Sequence, residues 1–170
     1  MTFLARATRN SLLASLTHLD GQGRARMVDI GDKEVTFRVA TAGAEVVVSL
    51  PTLESVLHGT VPKGDVLAAA RIAGILGGKK TPDLIPLCHP IGIDSLNVDV
   101  TVDENIPGIR ITATAATTGK TGVEMESMTA VSIAALTVYD MLKSMEKGVR
   151  ITNIRLIHKK GGKSGEYHGE

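Results

Sequence analysis

The 170-residue sequence is poor in aromatic residues, with no Trp, two Tyr and two Phe. Proteins that recognise single-stranded nucleic acid stack the bases on several exposed aromatic side chains. So small an aromatic set argues against nucleic acid as a partner. It also means that the core must be built from Ala, Val, Ile, Leu and the six Met residues.

The sequence also has only one cysteine, Cys88, and no long apolar run. One cysteine cannot form an internal disulfide, and no uninterrupted apolar segment approaches the roughly 18 residues that a membrane span needs. We therefore expect a cytoplasmic protein that does not contact membranes. Nineteen Lys and Arg residues against 18 Asp and Glu residues give a formal charge of +1, so an anion site requires a local cluster of cations.

The length is that of one compact domain. Residues 1–16 are predicted to be a mobile N-terminal extension, and their arginines without any acidic residue also resemble an organelle transit peptide. Residues 17–170 are predicted to form the single domain. Its glycine-rich C-terminal tail, from about residue 159, is expected to be mobile without a ligand.

Alternating apolar and polar residues predict an antiparallel hairpin with strands at 96–102 and 109–115. The β-branched stretch 35–48, interrupted by Gly43, predicts a long or bulged strand, and a last strand is expected around 151–157. Because one face of the hairpin is polar, helices should cover only the other face. The predicted fold class is α+β, a ferredoxin-like two-layer arrangement of an antiparallel sheet with helices packed on one face.

Helical spacing of apolar residues predicts three helices between these strands. A short helix is expected over 52–58. A second should run over 65–76 and end at Gly77-Gly78, since glycine commonly stops a helix. The longest should run over about 123–147 and end at Gly148.

Asp140 and Lys143 lie three residues apart on the longest predicted helix and therefore on one face of it. Such a pair is often just a solvated ion pair. In a cleft, however, a carboxylate beside an ammonium group could transfer protons.

Two Gly-Lys-hydroxyl segments, Gly119-Lys120-Thr121 and Gly162-Lys163-Ser164, invite comparison with phosphate-binding loops. The complete motif needs another glycine five positions earlier, where this sequence has Thr114 and Ile157. A small phosphate-loop NTPase is therefore disfavoured. The first segment precedes the longest helix, so its amides could still face an anion, or it could simply form a tight turn.

Cys88 and His89 are adjacent, and neighbouring side chains on an extended chain point apart. The sequence has neither Cys-x-x-Cys nor His-x-His spacing, so we predict no metal site. His89 could donate to a substrate or be held by backbone.

Glu124 and Glu126 flank Met125 where the longest helix begins. They either complement the helix dipole, or one of them accepts hydrogen bonds from a guanine or pterin amine edge.

Several longer motifs occur in order and identify a resemblance. They are Arg26-Met27-Val28-Asp29, Lys63-Gly64-Asp65-Val66, Ala70-Arg71-Ile72-Ala73-Gly74-Ile75, Leu84-Ile85-Pro86-Leu87-Cys88-His89-Pro90, Thr118-Gly119-Lys120-Thr121-Gly122-Val123-Glu124-Met125-Glu126, Thr137-Val138-Tyr139-Asp140-Met141 and Gly161-Gly162-Lys163-Ser164-Gly165. Over roughly residues 17–165 the sequence resembles the MoaC family of molybdenum cofactor biosynthesis.

The resemblance implies a lyase that converts the 3′,8-cyclised dihydro-GTP to cyclic pyranopterin monophosphate and releases pyrophosphate. It implies that Asp140 is the catalytic acid/base and that Lys143 is the cation beside it. The positions that would contact substrate are Lys63, Leu87, Cys88, His89, Glu124, Met125, Glu126, Lys159 and Lys163. No cofactor is firmly implied, although Mg²⁺ could accompany the triphosphate.

Glu126 and Asp140 are 14 residues apart on one predicted helix, which corresponds to about 21 Å at a rise of ~1.5 Å per residue. One small substrate can hardly contact both. We therefore predict a pocket between subunits, with Asp140 of one chain facing Met125 and Glu126 of another. The resemblance implies a hexamer built as a trimer of dimers. A non-catalytic nucleotide sensor, in which Asp140 is merely an ion-pair partner, is the alternative.

Overall fold

The computed structural model describes residues 18–169, so the predicted extension at 1–16 lies outside the described residues. This part of the chain forms five strands and four helices. In chain order they are β1 (Thr36–Val47), α1 (Leu50–Leu57), α2 (Val66–Lys79), α3 (Thr81–Leu84), β2 (Ser95–Asp103), β3 (Gly108–Gly119), α4 (Glu124–Leu142), β4 (Arg150–Lys160) and β5 (Tyr167–His168). None of these helices is both long and apolar enough to cross a bilayer.

The strands form one sheet in the order β2-β3-β1-β4-β5, and every neighbouring pair is antiparallel. With α2 and α4 as crossovers, the first four strands follow the split β-α-β-β-α-β order of ferredoxin-like folds. The predicted α+β class is confirmed. The long first strand also has the predicted irregularity, because its pairing with β4 shifts register on both sides of Gly43.

One face of the sheet carries the core. Ala42, Ala44 and Val46 of β1 are fully or almost fully buried, and they pair with three residues of β3. These side chains belong to the same buried cluster as the inward faces of α2 and α4. The opposite face is polar, as shown by the ion pair between Glu45 and Arg110. The helices therefore lie on one side only, as the alternation predicts.

Helix α2 does not end at Gly77-Gly78; it continues through both glycines to Lys79. A Cβ atom on Gly77 would lie 2.7 Å from Cβ of Ile133, and one on Gly78 would lie 2.7 Å from a methyl carbon of Leu96. The prediction that these glycines stop the helix is wrong because their small size serves packing: α2 approaches α4 and β2 too closely for any side chain.

Helix α4 ends at Leu142, five residues before the predicted end. The chain beyond it turns so that the Glu146 carboxylate accepts hydrogen bonds from the backbone N–H of Ser49 (2.9 Å) and from its hydroxyl (2.9 Å). These contacts satisfy groups at the N-terminus of α1, where backbone donors lack helical partners. If α4 continued beyond Leu142, Glu146 would follow the helix and could not make these hydrogen bonds to Ser49. We infer that tertiary contacts set the C-terminal end of α4.

Two other boundaries differ from the prediction. Helix α1 begins at Leu50 because Pro51 occupies its first turn, where a missing N–H costs no helical hydrogen bond. Strand β4 extends to Lys160, and the segment after it returns to form β5, which pairs with β4. Part of the tail thus has regular structure, and its predicted mobility stays a prediction.

Candidate functional site

Asp140 lies in the last turn of α4 between two lysines. Lys143, one turn further along, places Nζ 2.7 Å from Oδ1 of Asp140. Lys63 reaches the same residue from the segment between α1 and α2, where its Nζ donates to Oδ2 (2.8 Å) and to the backbone carbonyl (2.7 Å). The structure thus brings together three predicted site residues, which we call the lysine–aspartate cluster.

The two ammonium groups set the charge state of Asp140. The hydrogen bond from Lys143, followed by that from Lys63, lowers the pKa of Asp140 to about 2. In turn, Asp140 raises the pKa of Lys143. The Asp140 side chain is 56% exposed in the single chain, so it is not in a cleft of its own subunit. At neutral pH the cluster is a carboxylate held between two ammonium ions.

A cavity of about 570 Å³ opens near the other end of α4. Four of the side chains that line it are cationic and two are acidic; we call it the basic cavity. Its lining residues are Lys33, Glu34, Thr36, Arg38, Lys120, Thr121, Gly122, Glu124, Gly162, Lys163 and Ser164. Oγ1 of Thr36 is the one buried side-chain polar atom within residues 18–169 without a hydrogen-bond partner.

Arg38 and Lys159 hold the walls of the basic cavity together. Arg38 donates to the backbone carbonyl of Gly119 (Nε, 3.0 Å), which fixes the turn before α4. Lys159 Nζ lies 3.0 Å from Oε1 of Glu124 and 3.1 Å from Oγ of Ser164. Lys159 therefore joins the start of α4 to the loop after β4. Glu124, Lys159 and Lys163 were predicted from sequence, and the structure places all three at this end of the molecule.

Glu126 and Cys88 form a second feature near the start of α4. Glu126 is only 3% exposed, and this burial raises the pKa of its carboxyl. Burial, followed by the negative charge of Glu126, also raises the pKa of the Cys88 thiol. The two groups are therefore electrostatically coupled, and each is driven toward its neutral form.

The other predicted contact residues have simpler surroundings. His89 Nε2 lies 2.7 Å from the backbone carbonyl of Val28, so one ring nitrogen is held by the main chain, as one of the two interpretations anticipates. Because a carbonyl oxygen can only accept, Nε2 is the donor in this hydrogen bond. Leu87 and Met125 are more than a third exposed, which suits side chains that pack against a ligand or another subunit.

Within one chain, the predicted site residues fall into two groups. The lysine–aspartate cluster lies at the C-terminal end of α4, and the Glu124-to-Glu126 segment lies at its N-terminal end. Sequence reasoning missed Lys33 and Arg38, and it considered Lys120 only within a segment that either faces an anion through its amides or forms a tight turn. Arg38 had a signal, because it is a cation within a strand otherwise rich in apolar and β-branched residues; Lys33 had none.

The fold and these two groups define a two-layer α+β protein with a cation-rich cavity. The sequence model of the MoaC family matches residues 27–162, and the chain belongs to that family. Similar proteins include one of Nostoc sp., 56% identical over 91% of this chain and 92% of the relative. Another, of Dinoroseobacter shibae, is 54% identical over 93% of this chain and all of the relative, and one of Jannaschia sp. is 55% identical over 91% and 95%. All three relatives bear the name cyclic pyranopterin monophosphate synthase.

Proposed function

We propose that this protein is a cyclic pyranopterin monophosphate synthase of molybdenum cofactor biosynthesis, a lyase acting on the 3′,8-cyclised dihydro-GTP with release of pyrophosphate. The observation that carries the proposal is its 54–56% identity with enzymes of that name over nine-tenths of the chain. The geometry adds support, since it supplies a basic cavity for the phosphates and an ionised acid–lysine cluster for proton transfer.

The basic cavity suits a triphosphate. Its lining has four cationic side chains, Lys33, Arg38, Lys120 and Lys163, and two acidic ones, Glu34 and Glu124, so cations outnumber carboxylates and the lining attracts an anion such as a triphosphate. Negative charge builds on the departing oxygens as pyrophosphate leaves, and fixed cations stabilise that charge most in a partly enclosed site. The proposal assigns no protein-bound cofactor to this step. Any Mg²⁺ would enter with the phosphates.

The lysine–aspartate cluster suits the opening and closing of the ring, provided that substrate changes its charge balance. With a pKa of about 2, Asp140 is too weak a base to move protons at neutral pH. An anionic substrate that draws Lys63 and Lys143 toward itself would remove the hydrogen bonds that depress this pKa. We therefore assign Asp140 as the acid/base of the bound state, and Lys143 as the cation that activates it.

A complete pocket requires a second chain. Glu126 and Asp140 are at opposite ends of α4, about 21 Å apart, so Asp140 of one chain would face Met125 and Glu126 of its neighbour. Ile72, Leu76 and Leu136 are each more than half exposed on the outer faces of α2 and α4, and exposed apolar side chains of this kind favour self-association. The proposed assembly is a hexamer, a trimer of dimers.

The proposed location is the cytoplasm, because a chain with a single thiol forms no internal disulfide and suits a reducing compartment.

The test is a turnover assay with the purified chain and the cyclised dihydro-GTP, measuring pyrophosphate and pterin product together. Asp140→Asn should abolish product formation and retain substrate binding. Asp83→Asn is the matched control, since Asp83 also forms an exposed ion pair with a lysine three residues away, at 3.7 Å, and it should retain full activity. Unchanged turnover of Asp140→Asn would refute the role of Asp140.

The same assay decides two further points. If the unmodified chain binds the substrate but releases no product, the protein is a nucleotide sensor; the exposed, fully ion-paired Asp140 is the observation that favours this second candidate. Light scattering on the active sample gives the state of assembly. A fully active monomer would refute the shared pocket.

A further inference from the structure

Three potential metal ligands meet at the C-terminal edge of the sheet. Nε2 of His158, on β4, lies 2.8 Å from Oε1 of Glu166, and Nε2 of His168, on β5, lies 3.7 Å from the same oxygen. The two imidazole rings have centroids 4.7 Å apart. One ligand atom from each of the three residues lies within 4.8 Å of the other two. We call these three residues the histidine cluster.

The backbone holds the two histidines in register. His158 and His168 are direct partners in the antiparallel pairing of β4 with β5, so their side chains project from the same face of the sheet. His158 is also paired with Thr41, which lies on the polar face that the helices leave uncovered. The loop between the strands bends back through Gly161, Gly162 and Gly165, all at positive φ, where glycine is strongly preferred.

We propose that the histidine cluster binds one divalent transition-metal ion of the Zn²⁺ type. Two imidazole nitrogens with one carboxylate oxygen is a donor set that Zn²⁺ accepts, with metal–ligand distances of about 2.0–2.2 Å and a fourth position for water. Ligand atoms around such an ion are roughly 3.3 Å apart in tetrahedral geometry. The two separations from Glu166, 2.8 and 3.7 Å, bracket that value, and the separation between the two imidazole nitrogens is at most 4.8 Å, so side-chain rotation could bring all three ligand atoms to one ion.

The ion would fasten a wall of the basic cavity. The segment between His158 and Glu166 includes Lys163 and Ser164, which line that cavity. Strand β5 is only two residues long, so few backbone hydrogen bonds hold this segment to the sheet. A metal ion bound by His158, Glu166 and His168 would cross-link the two ends of this segment and so restrict its movement. The site does not depend on the proposed function, and it departs from the sequence-based expectation of no metal, which considered only spacing along the chain.

The test is equilibrium dialysis of the full chain with Zn²⁺, followed by hydrogen exchange of the backbone amides over 161–168. The unmodified chain should bind one Zn²⁺ per chain and exchange these amides at least about tenfold more slowly with the metal. His158→Gln combined with His168→Gln should weaken binding by about tenfold or more and abolish the protection. His58→Gln, at the end of α1, is the histidine control, and Cys88→Ser is the thiol control; both should bind as the unmodified chain does.

Two results would overturn the proposed metal site, and a third would overturn its fastening of the cavity wall. One is Zn²⁺ binding that the double histidine variant retains at full affinity. A second is loss of binding in Cys88→Ser instead. The third is one-to-one binding that leaves exchange over 161–168 unchanged, which would refute the fastening of the cavity wall. Single variants His158→Gln and His168→Gln, each with a cooperative thermal transition, serve if the double variant does not fold.

Discussion

Replacing Gly77 by Ala should destabilise the protein, although alanine is the better helix former. A Cβ atom at this position would lie 2.6 Å from Cγ1 and 2.7 Å from Cβ of Ile133. The Cβ of Ile133 is fixed to the backbone of α4 and cannot rotate away, so α2 and α4 must separate. The interface concerned also carries Gly74 and Gly78, hence a shift there affects the whole layer of helices.

The two opposing contributions to the free energy of unfolding can be compared. Helix propensity favours Ala over Gly by about 0.8–1.0 kcal/mol, whereas overpacking a close contact costs about 1–3 kcal/mol. Because the clash involves a branched Cβ, we expect the upper part of that range and a net loss of about 1–2 kcal/mol. For a chain of this size that corresponds to a Tm lower by roughly 2–8 °C.

The assay is thermal unfolding at one fixed protein concentration, because the proposed self-association would make Tm depend on concentration. Gly92→Ala is the matched control, because nothing lies within 4 Å of its added Cβ; it should be neutral or up to about 1 kcal/mol more stable. A double-mutant cycle with Ile133→Ala, which removes Cγ1 and Cγ2, should reduce the cost of Gly77→Ala. An increase in Tm for Gly77→Ala would show that the helices are not packed as described.

Three other predictions follow from the charged groups. Because burial raises the pKa of Glu126 in the folded state, ionisation of this carboxyl destabilises the fold as pH rises through that pKa. The change in Tm caused by Glu126→Gln should therefore be more favourable at pH 7 than near pH 4. Equal changes in Tm at the two pH values would contradict this. The depressed pKa of Asp140 has the opposite sign, so Asp140→Asn should lower Tm near neutral pH and lose this effect as pH falls from about 4 to 2. Lys120→Ala and Lys163→Ala should each weaken substrate binding by about tenfold or more at low salt, while Lys147→Ala, an exposed lysine outside the cavity lining, should bind normally.

The sequence predicted those parts of the fold that depend on local patterns. Period-two alternation over 96–102 and 109–115 predicted β2 and β3, and the β-branched stretch with Gly43 predicted a bulged β1. Prediction from sequence failed where contacts between residues distant in sequence determine the local structure. Gly77 and Gly78 have the local character of a helix stop, yet their role is set by Ile133 and Leu96, whose positions depend on the tertiary fold.

The candidate site shows the same division. Asp140 and Lys143 were paired from their spacing on one helix, and the structure confirms their contact. The cross-strand meeting of His158 with His168 was not foreseen, because it depends on a two-residue strand whose register no sequence pattern specifies. Lys33 and Arg38 line the basic cavity only because the fold brings them next to residues that are distant in sequence. The functional roles of the site residues predicted from sequence stay predictions.

The length of α4 also bears on how neighbouring subunits would have to cooperate. If its two ends serve different pockets, every protomer contributes half of one and half of another, and an isologous pair completes both at once. Two inactive variants, one altered at Asp140 and the other at Glu126, would then complement each other. A mixed pair carries one pocket with both defects and one with neither, so co-assembly of two inactive proteins should recover activity.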